Sequence, residues 1–173
     1  MTIAHDPIAL NTFAPLVDGL PALELGSAGL LPGPAGVRAE LERRVARAAH
    51  RPRALVVLGL LRRDDTWPTS PGVLDATTAL VARTLRGDDW LGRSGPAEFA
   101  VLLDGSADDA DAVAARLTAG VAALGSSGLG AGAGIAVLED GVAAGEVLRR
   151  ATLSLSTARS AGAGTVVRYR GVR

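Results

Sequence analysis

Between residues 37 and 170 the apolar positions follow two rhythms, one of about 3.6 residues and one of short continuous runs. "VRAELERRVARAA" places Val37, Leu41, Val45 and Ala48 on one face of a helix, with Glu40 and Arg44 paired at i, i+4 on its outside. "ALVVLGLL" at 54–61 is short, continuous and rich in β-branched residues, which predicts a buried central strand. Val73, Leu74, Leu80, Val81 and Leu85 stripe a helix across 73–85. "EFAVLL" at 98–103 predicts a second buried strand, and "SGPA" before it the tight turn of a hairpin. Ser106, followed by acidic residues, starts a helix with Val113, Leu117, Val121 and Leu124 inside. "IAVLE" at 135–139 predicts a strand, Leu148, Ala151, Leu155 and Ala158 the inner face of a helix, and "TVVRYR" at 165–170 a closing strand.

The order is therefore α-β-α-β-β-α-β-α-β. It predicts an α/β (α+β) fold of the ferredoxin-like kind, a mainly antiparallel sheet with helices on its faces. Residues 1–36 contain "LPALELGSAGLLPGPAG" and read as a Pro/Gly-rich lead-in, partly docked and partly mobile, ahead of one domain at 37–173. Leu20, Leu23, Leu25, Leu30 and Leu31 suggest that the lead-in covers an apolar surface of this domain or of a second copy. The glycine-rich "GSSGLGAGAG" at 125–134 reads as a flexible link.

Composition narrows the chemistry. Eighteen basic residues balance eighteen acidic ones, so no overall charge favours nucleic acid or an acidic membrane. Every basic residue is Arg, so no lysine can form a Schiff base. Cysteine is absent, which removes disulfides, thiolate nucleophiles and zinc–sulfur sites. His5 and His50 are far apart in poorly patterned segments and do not suggest a metal site or a triad. The opening "MTIAHDPIALNTF" lacks the pattern of a signal peptide, and no apolar stretch is long enough to span a bilayer. The expectation is a cytoplasmic protein.

Residues 86–99, "RGDDWLGRSGPAEF", hold the densest polar chemistry. "RSGPAEFAVLL" resembles the signature of GGDEF domains, the diguanylate cyclases, which carry Arg-x-Gly-Gly-Asp/Glu-Glu-Phe before an apolar strand. The likeness spans about residues 30 to 170. The strand–loop–helix before the signature, the helix after it, "GIAVLE" and "LSLSTARSAGAGTVVRY" all fall in family order. The resemblance implies a bacterial second-messenger domain.

The departures carry the functional expectation. Family members condense two GTP molecules with magnesium, which needs hard oxygen ligands. The resemblance places Gly59 where the family has its first strand Asp and Leu61 at the next Asp. Gly95 keeps the first signature Gly, Pro96 replaces the second, Ala97 replaces the Asp/Glu, and only Glu98 survives. Pro96 has no amide hydrogen to offer a phosphate. "RRDDTWPTSPG" has no Asn for guanine, Val73 stands at the guanine-side Asp, Arg159 matches a family Lys, and Ala163 replaces an Arg. Asp64 and Asp65 read as a solvated loop pair, not as a replacement metal site. No metal and no cofactor is expected, and the cyclase is expected to be silent.

Arg86 and Asp89 match a different family feature, the Arg-x-x-Asp inhibitory site that binds the product, cyclic di-GMP. Arg116 stands where the family often adds an Arg from the following helix, and Arg83 lies one helical turn before Arg86. An Arg fork suits guanine O6 and N7, a carboxylate suits guanine N1–H and N2–H, and guanidinium groups meet phosphates. The leading expectation is thus an inactive receptor for cyclic di-GMP that signals as a homodimer or through a protein effector. The plain alternative for Arg86 and Asp89 is a surface salt bridge at a helix end. Trp67 and Trp90 read as packing, Arg93 as a hairpin cap and Glu98 as solvent-facing. A nucleotide-independent interaction module and a residual GTP-binding cyclase are the competing functions.

Overall fold

The structure, a computed structural model, describes residues 27–47, 51–63 and 68–171. His5, Ala48, His50, Asp64, Asp65, Trp67 and the lead-in through residue 26 lie outside the described residues. After a short 3-10 turn at Ser27–Leu30 come α1 (Pro34–Val45), β1 (Arg53–Arg62), α2 (Pro71–Thr84), β2 (Trp90–Gly95) and β3 (Glu98–Asp104). Then follow α3 (Ala107–Ala122), β4 (Leu129–Val137), α4 (Ala144–Ala161) and β5 (Val166–Arg168). The strands form one sheet in the order β2-β3-β1-β4-β5. β1 runs antiparallel to both β3 and β4, β2 runs antiparallel to β3, and β5 joins β4 in parallel. This is the mixed, mainly antiparallel α/β architecture that the element order predicts.

Helices on both faces explain the unbroken apolar run of β1. Ala54, Val56, Leu58 and Leu60 join Phe99, Val101, Leu80 and Leu117 beneath α2 and α3. Leu55 and Val57 point the other way and join Val37, Leu41, Ala151 and Leu155 beneath α1 and α4. A strand covered on both faces has no polar face to present. Trp90 packs on the α1–α4 side of the sheet.

The glycine-rich stretch corrects the expected link. Leu129 to Gly134 are not a connector but the first six residues of β4, all buried. Leu129, Ala131, Ala133 and Ile135 enter the α2–α3 core, while Gly132 and Gly134 face α4 and Gly130 faces Ala163 just past its end. A Cβ on Gly134 would stand 2.1 Å from the Ala151 carbonyl oxygen and 2.2 Å from the Leu155 nitrogen. Glycine here lets a helix backbone lie directly on a strand. The true connector is 125–128, where Gly125 and Gly128 take φ of 71° and 69°, a region glycine enters without strain.

Two further expectations change at α1. The helix starts at Pro34 rather than at residue 37, with proline in the first turn, where its missing N–H costs nothing. Glu40 is not on the outside: only 3% of its side chain is exposed. Ahead of α1, the Pro32 carbonyl accepts from the Arg93 amide at 2.8 Å, so this segment lies along the edge strand β2. Leu31 packs on the core and Leu30 is exposed.

Candidate functional site

β2 and β3 carry chemistry at opposite ends. Where β2 begins, residues 86–89 form a turn that closes on itself. The Asp89 amide donates to the Arg86 carbonyl at 3.1 Å, and the Arg86 amide donates to Asp89 Oδ2 at 2.8 Å. The contact between the two residues thus runs through the Arg86 backbone, which corrects the simple salt-bridge reading. One carboxylate oxygen holds the turn, and among the described residues the other has no hydrogen bond.

This turn faces the start of α3. Ser106 caps that helix with a reciprocal box: its hydroxyl accepts from the Asp109 amide at 3.1 Å, and Asp109 accepts from the Ser106 amide at 2.9 Å. Asp109, Ala112, Val113 and Arg116 then follow at i, i+3, i+4 and i+7 on one helical face. Together with Arg86, Asp89, Leu103 and Asp104 they line a cleft of about 60 Å³. Arg86, Asp89 and Arg116 are therefore brought together, whereas Arg83 is exposed in the last turn of α2 and is not part of the cleft wall. The Ser106 hydroxyl and then its amide hold the Asp109 carboxyl below its usual range; slight burial opposes this and the Arg86 charge adds to it.

Two residues that sequence reasoning missed support the cleft from behind. Asp104 accepts from Arg44 Nη1 and from Arg53 Nε, each at 2.9 Å. Arg44 also donates through Nε to Glu40 at 2.7 Å and through Nη2 to the Asp88 carbonyl at 3.0 Å. Arg43 supplies Glu40 with a second counter-charge. The visible signals were the Glu40–Arg44 spacing and a strand ending on an acid, "VLLD".

At the hairpin end the arrangement is different. Gly59 lies between Glu98 on β3 and Gly132 on β4. A Cβ there would meet Arg159 Nη2 at 2.6 Å, so the α4 guanidinium lies over the strand. Arg159 Nη1 donates to Glu98 Oε1 at 2.7 Å, with side chains 34% and 22% exposed. Glu98 is therefore ion-paired rather than simply facing solvent. Gly95 leaves room for its carboxylate, since a Cβ there would stand 3.1 Å from Glu98 Oε2. Arg93 Nη2 donates to the Pro96 carbonyl at 2.5 Å, which caps the turn as expected. The buried Ala97 accepts at its carbonyl from the Leu60 amide at 3.0 Å. Leu61, Pro96, Ala97, Glu98 and Arg159 border an open cavity of about 370 Å³. Among the described residues no group of three or more His, Asp or Glu is placed to hold a metal ion. No helix among them is long and apolar enough to cross a membrane.

No family model matches the chain, and no curated protein matches it. Solved structures do. A microbial GGDEF domain, described with bis-(3′,5′)-cyclic di-GMP in a novel interaction mode, is 26% identical over 80% of this chain and 94% of its own, with a TM-score of 0.69. The diguanylate cyclase SiaD of Pseudomonas aeruginosa, in complex with its activator SiaC, is 23% identical over 84% of this chain and 62% of its own, with a TM-score of 0.72. The GGDEF domain of DgcB from Caulobacter crescentus, in complex with c-di-GMP, is 20% identical over 82% and 92%, with a TM-score of 0.71. The strand order, the hairpin and the four flanking helices of this chain make up the fold of the GGDEF domains of diguanylate cyclases.

Proposed function

We propose that this domain is a receptor for cyclic di-GMP that does not synthesise it. The observation that carries the reading is the convergence of Arg86, Asp89 and Arg116 on one cleft. An arginine fork there can meet guanine O6 and N7, the open Asp89 oxygen can accept from guanine N1–H and N2–H, and the second arginine can meet a phosphate. Asp104 adds little opposing charge, because Arg44 and Arg53 already lie on it. Arg83 stands outside the cleft and would contribute less. Two of the similar structures are described with the same dinucleotide.

A cleft of about 60 Å³ takes one edge of a base and cannot enclose a dinucleotide. The rest of the ligand would lie on the surface, open to a second copy of the domain or to a protein effector. Binding would then be linked to assembly.

Silence of the cyclase follows from the donor set at the other end. Magnesium asks for near-octahedral oxygen ligands. Gly59, Leu61 and Ala97 supply no side-chain oxygen, and the one carboxylate, Glu98, already has the Arg159 guanidinium on it. These residues do not fit the ion. The complex of SiaD with its activator keeps a protein-interaction role in view.

Calorimetry with cyclic di-GMP, and with GTP for comparison, tests the reading. Wild-type protein is expected to bind the dinucleotide, and Arg86→Ala and Asp89→Ala to lose most of that affinity. Equal affinity in all three proteins overturns it. Product formed from GTP and Mg²⁺ above background would overturn the silent-cyclase part.

A further inference from the structure

The loop that carries Arg86 and Asp89 has a third support, which comes from outside the cleft. We propose that Arg44 is a positioning residue: it fixes the 86–89 turn from behind and ties it to α1, so that the affinity of the cleft depends on a side chain that never meets the ligand. The inference rests on the ligand-binding reading above.

Arg44 is 15% exposed and its guanidinium reaches four acceptors on three elements. Nε bonds Glu40 on its own helix at 2.7 Å. Nη1 bonds Asp104 at 2.9 Å and the Leu102 carbonyl at 3.3 Å, at the end of β3. Nη2 bonds the Asp88 carbonyl at 3.0 Å, inside the turn. Asp88 lies inside the turn that the Asp89 amide closes on the Arg86 carbonyl, so holding the Asp88 carbonyl fixes the 88–89 peptide and the direction in which Asp89 leaves the turn. Asp104 is also a wall of the cleft. A single planar group thus spaces the turn against the wall it must face. Five fixed N–H donors make this possible, and a lysine ammonium, with one point of charge, cannot replace the fork.

Glu40 is nearly fully buried on the inward side of α1, and its carboxylate is held by Arg43 and Arg44. A carboxylate removed from water needs such partners. α1 is thereby keyed to the ligand turn rather than merely packed on the sheet. Occupation of the cleft would steady the turn, and through Arg44 it would steady α1 and the segment that leads into it.

The test separates stability from positioning. Arg44→Lys keeps a charge beside Glu40 and Asp104 but cannot reach Asp88 at the same time. Arg44→Met keeps the stem and removes the charge. For both, measure the thermal midpoint, cyclic di-GMP affinity by calorimetry, and amide hydrogen exchange at 86–89 without ligand. The expectation for Arg44→Lys is a midpoint close to wild type, roughly tenfold weaker binding and faster exchange at Asp89, with Arg44→Met weaker still. Wild-type exchange at 86–89 in Arg44→Lys overturns the inference whatever the binding result. Wild-type affinity in Arg44→Lys overturns it as well. If wild-type protein binds no cyclic di-GMP, the receptor reading fails, and the exchange data alone then decide whether Arg44 holds the turn.

Discussion

At the hairpin end of β2 and β3, arginine and carboxylate face each other: Arg159 crosses from α4 to Glu98 and its guanidinium lies over Gly59. At the opposite end, Arg86 and Arg116 stand beside a cleft with Asp89, and the two other carboxylates of its wall are bonded to further groups. Asp104 is held by Arg44 and Arg53, and Asp109 by the cap of α3. Among the described residues, one end pairs its charges internally, while the guanidinium groups of Arg86 and Arg116 carry no such pair at the other. Charge that is already paired has little left to give a ligand, while an unpaired guanidinium beside a shaped surface gains by meeting an anion or a base edge. The same sheet thus has one end with its charges paired and one with arginines lining a cleft.

The largest effect tests what joins the two ends. Gly134→Ala pushes a methyl group into the backbone of α4, which cannot yield as a side chain would. The expected loss is about 3 kcal/mol, at the upper end for overpacking, and it should appear in denaturant unfolding. A loss under about 1 kcal/mol would mean that α4 slides freely on the sheet, and the two ends would then lack a rigid spacer. Next come Arg86→Ala and Asp89→Ala, each expected to weaken cyclic di-GMP binding about a hundredfold. Glu98→Gln is expected to leave that affinity within about twofold, since charge changes at distant sites act independently. If the hairpin variant weakened binding as much as the turn variants, the comparison would fail. Arg159→Met leaves Glu98 partly buried without its counter-ion and should cost about 1 kcal/mol of stability, reduced by partial exposure, with no change in ligand affinity.

The smallest effect lies at neither end. On α4, hydrogen bonds from Arg149 and then Arg150 pull the Glu146 carboxyl from its ordinary 4.5 down to about 2, against slight burial. A carboxyl with a lowered folded-state pKa stabilises fully above its unfolded value and loses that contribution as pH falls through the folded one. Glu146→Gln should therefore melt slightly below wild type above about pH 4.5, and the gap should close as pH falls toward 2. A gap that persisted at pH 2 would assign the effect to packing rather than charge. Cyclic di-GMP binding should not respond to this substitution.

Much of the fold was legible because its signals are local. The unbroken run of β1, the stripe of α3 and the Ser106 cap each declare burial or a terminus within a few residues. Misreadings arose where one signal has two physical causes. Glycine at 129–134 looks like slack, yet β4 uses it for close approach to α4. Glu40 and Arg44 look like a surface pair by spacing, yet their face of α1 turns inward onto β3 and the 86–89 turn. Glu98 looked exposed because its partner, Arg159, is 61 residues away. For the candidate site, the spacing of Arg86, Asp89 and Arg116 could be read along the chain, but the surrounding charges of Asp104, Asp109 and Arg44 could not.

Sequence alone determined the order of strands and helices, the buried character of β1, and the lack of a side-chain oxygen at Gly59, Leu61 and Ala97. These depend on residue identity and on periodicity within one element. Tertiary structure alone decided which charges meet. It set Arg159 over Gly59, closed Asp89 onto a backbone amide, and placed Arg44 behind the turn. The reason is that ion pairs depend on register and helix placement across tens of residues, and no periodicity within a single segment encodes them.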